Sequence, residues 1–174
     1  PGDAAYGMPP DPDYPGMPKN YQGPSVDQTR KWVLWGNLLG GGWGVEYYFG
    51  YKLPQNDLVC ENWRSRDQSW TYAGYALDFF RDQKIPFWDM APQPELVGNP
   101  AKGNQAYCLA GKHLYLIALP DGGNCQLKPT KAESPVSVRW FNPRNGIMRG
   151  SSRLSSFQIT APDKNDWVAI VKTK

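Results

Sequence analysis

The sequence has few of the residues on which metal and nucleophile chemistry depends. It holds one histidine and three cysteines among 174 residues, so a zinc site or a histidine-based catalytic triad has little to draw on. Three cysteines are also too few for a disulfide scaffold. A pairing of Cys108 with Cys125 stays open, and their spacing indicates no metal site. We expect neither a cofactor nor a metal, and we interpret His113 as a partly exposed residue beside a strand.

Long apolar runs are missing as well. No stretch of 18 or more apolar residues occurs, so we expect no membrane-spanning helix. The chain begins Pro-Gly-Asp without a signal-peptide pattern, and we expect it to be processed or cut from a longer protein. Aromatic residues, in contrast, are abundant, with eight Trp and ten Tyr. Most of them should lie in the core, although sugar rings also stack on such side chains.

Charge is divided unevenly along the chain. Residues 1–96 hold 8 Lys and Arg against 12 Asp and Glu, whereas residues 97–174 hold 11 against 4. This asymmetry indicates two units with different roles. Opposite charges would help the two units to dock, and an anionic partner of the basic half is the alternative. Nucleic acid is a poor candidate because no basic helix or RNA-binding motif accompanies the charge.

Residues 1–24 are rich in proline and glycine and predict a loop, because proline fixes φ and removes backbone donors. A helix is predicted to follow. Ser25 and Gln28 form a capping-box pair at its start, and apolar residues on two overlapping faces predict that it is buried. We expect Gly40 to end the helix in the left-handed conformation that is common at helix C-termini.

The stretch GGGWGVEYYFGY at residues 40–51 offers a choice between a phosphate-binding loop and a strand. Phosphate loops precede their helix, whereas these glycines follow one, and no G-K-[ST] pattern is present. The pattern therefore excludes phosphate binding. The alternation that starts at Val45 predicts a strand with one apolar face under helices, and with Glu46 and Tyr48 on the face toward a barrel interior or cleft. A pairing of Glu46 with an arginine inside the barrel is the alternative.

A second helix is predicted from about Asp67 to Gln83, where apolar residues recur at helical spacing. From about residue 97 short alternating segments replace this pattern: QAYCLA, HLYLIAL, NCQL, VSVRWF, GIMRG, SSFQIT and DWVAIVK. Turn signals separate the segments, notably DGG at 121–123 and NPRNG at 142–146. Seven short strands at this spacing predict an antiparallel β-sandwich after an α/β unit.

Several of these runs resemble a known enzyme family. TRKWVLWGNLLGGGWGVEYYFGY, NDLVCENWRSRDQSW and YALDFFRDQKIPFWDM resemble the end of the catalytic barrel in the apiosidase-like glycoside hydrolases. YCLAGKHLYLIALPDGGNCQL, VRWFNPRNG and DWVAIV resemble the module that follows that barrel, which is named as a collagen-binding domain. The resemblance covers nearly the whole chain, in the order that the family has.

The resemblance implies a fold class of α/β plus all-β. Residues 1–96 would be the C-terminal portion of a (β/α)₈ barrel, and residues 97–174 would be the small antiparallel β-sandwich. Family barrels cleave glycosidic bonds with two carboxylates at the C-terminal ends of their strands. The principal carboxylates would lie upstream of Pro1, so the chain by itself should be inactive. An extracellular or periplasmic location is implied by the family alone.

The resemblance also implies candidate substrate-binding residues. The 40–51 stretch would be the last barrel strand, and the NDLVCENWRSR connection would be its top loop, beside the substrate. The candidates that would orient the sugar or stack on it are Glu46, Tyr48, Tyr51, Asp57, Trp63 and Arg64. Glu46 is also a candidate catalytic residue. Arg64 would pair with a uronate carboxylate in bidentate fashion, or it would form a salt bridge with Asp67 or Glu61.

These observations leave alternative functions. In the first, the chain is the C-terminal part of a secreted glycoside hydrolase that acts on plant or microbial polysaccharide, and whether the chain itself is an enzyme stays open. In the second, it is a non-catalytic module whose sandwich binds collagen or an anionic polysaccharide through one basic patch. The residues of that patch would be Arg139, Arg144, Arg149 and Arg153. A third interpretation makes the sandwich a structural brace, and exposed aromatics on its outer face would count against that.

Overall fold

The computed structural model describes residues 25–45, 67–98 and 106–174, in which helices pack on one face of an antiparallel sheet. One continuous helical segment consists of α1 (Val26–Gln28), a π-helical stretch (Thr29–Trp35) and α2 (Gly36–Leu39). The other long helix is α3 (Asp67–Asp82). Short 3₁₀ turns follow at Phe87–Asp89 and Pro94–Val97. The strands are β1 (Ala91–Pro92), β2 (Tyr107–Gly111), β3 (Leu114–Leu119), β4 (Asn124–Gln126), β5 (Pro135–Asn142), β6 (Ile147–Arg153), β7 (Gln158–Thr160) and β8 (Trp167–Thr173).

The start of the first helical segment confirms the predicted capping box. The Ser25 hydroxyl accepts a hydrogen bond from the Gln28 backbone, and the Gln28 side chain accepts one from the Ser25 backbone. The segment ends at Gly40 as expected, but the predicted conformation was wrong. Gly40 has φ −79°, and Gly41 is the residue with positive φ, at 88°. The left-handed turn therefore lies one residue later than the pattern predicted.

The middle of this segment winds as a π-helix, which changes the face that is buried. Its buried residues are Thr29, Arg30, Leu34 and Trp35, followed by Leu39 in α2. These positions recur at a spacing of five, which suits the i→i+5 hydrogen bonding of a π-helix better than the α-helical period. Trp32, predicted on a buried face, is instead 37% exposed. The helix is therefore buried along one side only.

The strands form a six-stranded sheet in the order β1-β2-β3-β8-β5-β6 and a two-stranded sheet of β4 and β7. All seven predicted strands are present as β2 to β8, and the two-residue strand β1 was not predicted. Every strand pair within the described ranges is antiparallel. The antiparallel sandwich is thus confirmed, whereas a barrel fragment is not evident in the described part of the chain.

The six-stranded sheet is covered on both faces. On one face its side chains pack with β4, β7 and the Pro94–Val97 turn, and this core includes Cys108, Ile117, Leu127, Ile159, Trp167 and Val171. On the other face they pack under the helices, and this core includes Leu34, Trp35, Phe79, Leu116, Phe141 and Val168. The central strands β3 and β8 are therefore nearly continuous apolar runs, as strands buried on both sides tend to be.

The helices belong to the same packing unit as the sheet. Trp35 contacts Phe79 of α3 and Phe141 of β5, with ring centroids 5.4 Å and 5.6 Å away. Phe79 and Phe141 also meet each other at 4.7 Å. Burying each large apolar side chain contributes about 1.5–3 kcal/mol, so three such rings fix the helices firmly on the sheet. The hydrophobic core on this face of the sheet therefore consists of side chains from the helices as well as from the strands.

Candidate functional site

The substrate-binding residues predicted from the sequence lie outside the described residues. They are Glu46, Tyr48, Tyr51, Asp57, Trp63 and Arg64, which fall between Val45 and Asp67. Their assignment stays a prediction, as does the alternative salt bridge of Arg64. The described residues instead bring together charged and aromatic side chains at the boundary between helices and sheet. Of these the sequence had indicated only Arg144 and Arg149, as members of a basic patch.

A buried ion pair joins the first helical segment to the start of β8. The Arg30 guanidinium donates from Nε to Asp166 Oδ2 at 2.8 Å and from Nη2 to Asp166 Oδ1 at 3.0 Å. The two side chains are only 2% and 5% exposed. Arg144, in the β5–β6 turn, donates to the same carboxylate at 3.2 Å and to the Asp166 backbone carbonyl at 2.7 Å. We call these three residues the Asp166 clamp.

The buried guanidinium of Arg30 has further partners besides Asp166. Arg30 also donates to Asp27, and its guanidinium lies 4.5 Å from the centre of the Tyr72 ring in α3. Burial alone would lower the pKa of Arg30, but the hydrogen bonds and charge of Asp166 outweigh burial and raise it. Arg30 therefore stays cationic, and the bidentate geometry is the one that arginine and carboxylate groups favour.

Two arginines lie against the indole ring of Trp167, directly after the clamp. The guanidinium of Arg144 is 5.0 Å from the ring centre, and that of Arg149 is 4.4 Å from it. The indole N–H donates to Asp163 at 2.8 Å. This bond and a backbone N–H from Asn165 are the main reasons that the pKa of Asp163 falls to about 2. Asp163 is therefore ionised at neutral pH, and its carboxylate lies beside the Trp167 ring.

The four arginines predicted as one patch do not form one. Arg139 donates to Gln83 at 2.7 Å, at the helix side of the sheet. A register shift explains the division: Arg139 pairs with Ser151 while Phe141 pairs with Met148, so two steps along β5 match three along β6. This extra residue in β6 allows Arg149 to lie on the Trp167 side. Arg153, beyond the shift, pairs with Ser137 near Arg139.

An apolar pocket lies between the first helical segment and α3. It encloses about 260 Å³, and none of the described residues that line it is charged. The lining residues are Leu34, Leu38, Gly42, Trp43, Gly44, Val45, Ala73, Ala76, Leu77, Phe80 and Phe87. Such a lining suits an apolar chain segment better than a sugar, whose hydroxyl groups need hydrogen-bonding partners.

Exposed aromatic residues are confined to the helical part of the described chain. They are Trp32, Trp43, Trp70, Phe87 and Trp88, and Trp43 is the most exposed at 80%. Among residues 106–174 the large exposed apolar side chains are Val136 and Ile147, neither of them aromatic. The described sandwich thus lacks the exposed aromatics that would have counted against a brace.

The two described cysteines are free thiols in the sandwich core. Cys108 and Cys125 are both buried and form no disulfide with each other. The open possibility of this pairing is therefore not realised in the structure. Burial raises the pKa of each thiol to about 12, which keeps both groups protonated and poorly nucleophilic at neutral pH.

His113 and a buried glutamate lie at one end of the sheet. His113 occupies the β2–β3 turn with φ 57°, and its Nδ1 is 3.8 Å from Glu133 Oε1. Glu133 also accepts hydrogen bonds from the Tyr115 hydroxyl at 3.0 Å and from Thr173. Burial, followed by the bond to Glu133, raises the pKa of Tyr115 to about 12. The cluster holds the end of β8 in place, and the interpretation of His113 as a residue beside a strand is confirmed.

Neither a metal centre nor a membrane helix is found in the described ranges. Within them, no three His, Cys, Asp or Glu side chains are grouped so that they could hold a metal ion. The helices described are also too short and too polar to cross a bilayer.

Comparison with known families finds a match to the second half of the chain. Residues 91–172 match the family model described as "Putative collagen-binding domain of a collagenase". The match begins at β1 and ends within β8, so it covers both sheets except for Thr173, the last residue of β8. None of the curated proteins is similar in sequence to this chain.

Solved structures are similar over nearly the whole chain. One is described as a glycoside hydrolase family 5 crystal structure from Bacteroides vulgatus ATCC 8482, with a TM-score of 0.67 and 16% identity over 96% of this chain. A second, named glycoside hydrolase, has a TM-score of 0.67 and 15% identity over 96% of this chain. This chain spans 40% of the length of each. At these identities the likeness establishes the fold, and the activity of the longer proteins is not transferred by it.

Proposed function

We propose that this chain is the C-terminal part of a secreted, carbohydrate-active glycoside hydrolase of the apiosidase-like kind. Residues 1–96 would contribute the last unit of a (β/α)₈ barrel, and residues 97–174 would be a sandwich that braces it. The likeness to glycoside hydrolase chains, over 96% of this chain, supports the order of the two parts.

The direction of the two helices is the observation that carries the proposal. Arg30 lies over Tyr72, Trp35 packs on Phe79, and Trp43 meets Phe87 at 5.4 Å. Earlier residues of the first helical segment thus contact earlier residues of α3, and later residues contact later ones. The two helices are therefore neighbours that run in the same direction. Consecutive parallel helices are typical of α/β units, where each strand between them runs the opposite way.

The apolar pocket supports the same proposal. It lies between the parallel helices, and it is lined by Val45, the first residue of the predicted strand and the last described residue before position 46. A barrel packs its strands beneath such helix faces. A helix pair that left this lining exposed to water would be an aggregation hazard.

The brace is the role that we assign to the sandwich. Its sheet buries one face under the helices, and the Asp166 clamp adds a buried, bidentate link between the two parts. In the longer enzyme the sandwich would hold the last barrel helices in position. Glu46, Tyr48, Tyr51, Asp57, Trp63 and Arg64 would then orient and stack on the polysaccharide at the strand's C-terminal end.

The intact mass and N-terminal sequence of the native protein test the first part of the proposal. A barrel of about 250 residues plus the sandwich gives a mass of roughly 50 kDa. That result should be accompanied by hydrolysis of plant or microbial polysaccharides. A native mass near the 19.6 kDa of this chain, together with no hydrolysis, would overturn the hydrolase proposal.

Variants of the native enzyme test the site residues. We expect Arg64→Ala to raise KM for uronate-bearing substrates by about tenfold or more, because a bidentate charged contact is lost. Arg81→Ala is the matched control, since Arg81 is exposed on α3 and pairs only with Asp78 and Asp82 among the described residues. An unchanged KM in Arg64→Ala would remove Arg64 from the substrate site.

A non-catalytic binding module is the second candidate. The family-model match over residues 91–172, with its collagen-binding description, favours it. Under this candidate the chain by itself should bind fibrillar collagen or polysaccharide, and no variant of the helical part should alter that binding. Saturable collagen binding by the chain, with no hydrolytic activity in the native protein, would favour this candidate over the first.

A further inference from the structure

Arg149 differs from the other arginines of the sandwich in its surroundings. Its guanidinium lies over the buried Trp167 ring, 4.4 Å from the ring centre, while the residue itself is exposed. A cation–π contact holds a guanidinium in place and leaves N–H groups available for hydrogen bonds. Within the described residues Arg149 has no carboxylate partner. It is therefore a positioned cation without a counter-charge.

Arg144, on the same ring, shows the contrast. Its guanidinium is bonded to Asp166, and its charge also lowers the pKa of Asp163. Two acidic side chains thus compensate Arg144, and neither forms an ion pair with Arg149. Arg149 is therefore the arginine next to Trp167 whose charge is available to bind an external anion.

The acidic residues of the sandwich are already engaged. Residues 106–174 contain ten Lys and Arg but only four Asp and Glu. Asp121 pairs with Lys31, Asp166 with Arg30 and Arg144, Asp163 accepts from Trp167, and Glu133 accepts from Tyr115. An anion that approaches this surface therefore meets net positive charge and little competition from internal carboxylates.

The strand that carries Arg149 is accessible along its length. β6 is the last strand of the six-stranded sheet, so its outer backbone edge has no strand partner in the described chain. A side-chain carbon added at Gly150 would meet nothing within 4 Å, and Ser151 and Ser152 are exposed. Backbone groups and hydroxyls beside a fixed guanidinium can hydrogen-bond the hydroxyls that surround an acidic group on a sugar.

We propose that Arg149, held against Trp167 on β6, the last strand of the described sheet, binds the carboxylate or sulfate groups of an acidic polysaccharide. This inference goes beyond the proposed hydrolase and does not depend on it, since the site lies entirely in the sandwich. A polysaccharide suits the surface because its hydroxyl groups can use the outer backbone edge of β6 and the exposed Ser151 and Ser152 hydroxyls beside the guanidinium.

Binding of the full chain to three polymers tests the proposal. Polygalacturonate presents carboxylates, dextran sulfate presents sulfates, and dextran is neutral, and each is titrated by calorimetry at low and moderate salt. We expect binding to at least one anionic polymer, weakened by salt, and none to dextran. Whichever anionic polymer binds more tightly identifies the acidic group that the site takes.

Variants decide whether the binding is local. Arg149→Ala should weaken binding by about tenfold or more. Arg149→Lys keeps the charge but loses the planar guanidinium with its several N–H donors, so its affinity should lie between those of the wild type and Arg149→Ala. Arg153→Ala is the matched control, because it removes the same charge from the same strand beyond the register shift. It should change binding by less than about twofold. Thermal unfolding of each variant confirms that it is folded.

Several outcomes would overturn the proposal. Equal losses in Arg149→Ala and Arg153→Ala would mean diffuse electrostatic attraction without a site. Binding to dextran that matches the anionic polymers would remove the role of charge, and no binding to either anionic polymer would end the proposal outright. Arg149-dependent binding to single-stranded RNA or to collagen, tighter than to the polysaccharides, would assign the site to another class of partner.

Discussion

Arg30 and Asp166 are 136 positions apart in the sequence, yet they form a bidentate ion pair at 2.8 Å and 3.0 Å in the interior. Arg30 comes from the helical part and Asp166 from the sandwich, so the pair connects the two parts at their boundary. A buried charge is tolerated only when it is paired and hydrogen-bonded. The pair therefore makes the folding of each part depend on the presence of the other.

Asp166→Ala should lower the free energy of unfolding by about 3–5 kcal/mol, because it leaves the buried Arg30 with the exposed Asp27 as its remaining carboxylate partner. Urea unfolding followed by tryptophan fluorescence measures the change. Asp121→Ala is the control, since Asp121 is 74% exposed where it pairs with Lys31. That variant should lose at most about 1 kcal/mol.

The double variant Arg30→Met, Asp166→Leu provides a second check of the clamp. Replacing both charges by apolar side chains removes the desolvation cost together with the attraction, so much of the stability should return. If Asp166→Ala alone were no worse than Asp121→Ala, the clamp would not be a buried ion pair in solution.

Trp35 makes its contribution through its ring rather than through its N–H group. Its indole N–H is buried and has no hydrogen-bond partner among the described residues. Trp35→Phe should therefore change the free energy of unfolding by no more than about 1 kcal/mol, since it removes an unsatisfied donor while it keeps an aromatic ring. Trp35→Ala should cost about 3–5 kcal/mol, because it opens a cavity between α3 and β5. Similar losses for both variants, in chemical denaturation, would contradict this assignment.

Gly146 is required by both the backbone and the packing of the β5–β6 turn. It has φ 73°, and an added Cβ would lie 2.7 Å from the Tyr75 ring of α3. Gly146→Ala should lower the free energy of unfolding by about 1–3 kcal/mol. Gly150→Ala is its control, because Gly150 faces open space, and it should stay within about 0.5 kcal/mol. Thermal or urea unfolding of the two variants distinguishes the positions.

The buried thiols predict how stability depends on pH. Burial raises the pKa of Cys108 to about 12, well above the value of about 8.5 for a free thiol. Between these values the unfolded chain loses a proton that the folded chain keeps, so stability is fully present below about pH 8.5 and falls as pH rises.

In a Cys60→Ser background the folded protein should resist labelling by a thiol reagent at pH 8. Cys108→Ala should flatten the decline of unfolding free energy above pH 8.5, and an equally steep decline in that variant would contradict the assignment.

Local features of the fold could be predicted because their determinants are adjacent in sequence. The Ser25–Gln28 capping box, the limits of α3 and the seven strands of the sandwich all follow from short-range patterns. The left-handed residue was misplaced by one, at Gly40 instead of Gly41, because a run of glycines offers several positions for the same turn. Sequence pattern identifies such a run but not which of its members turns.

The clamp and the Trp167 site could not be predicted in this way. A π-helical stretch places Arg30 on the buried side, and the α-helical period used for the prediction does not reveal it. The extra residue in β6 then separates Arg149 from Arg153, which strict alternation would have placed on one face. The signals available in the sequence were Arg144 and Arg149, named there as part of a basic patch, and Arg30, a charged residue two positions before an apolar run.

The connection between helix and sandwich has a consequence for how the molecule moves. Ile85 is buried under the sheet, the Gln93 backbone donates to Cys108, and the Leu96 carbonyl accepts from Lys128. Residues 85–97, the described part of this connection, are thus pinned on both sides and provide no hinge. Proteases that cut flexible linkers should find no preferred site there, and any force on the sandwich would be transmitted directly to α3.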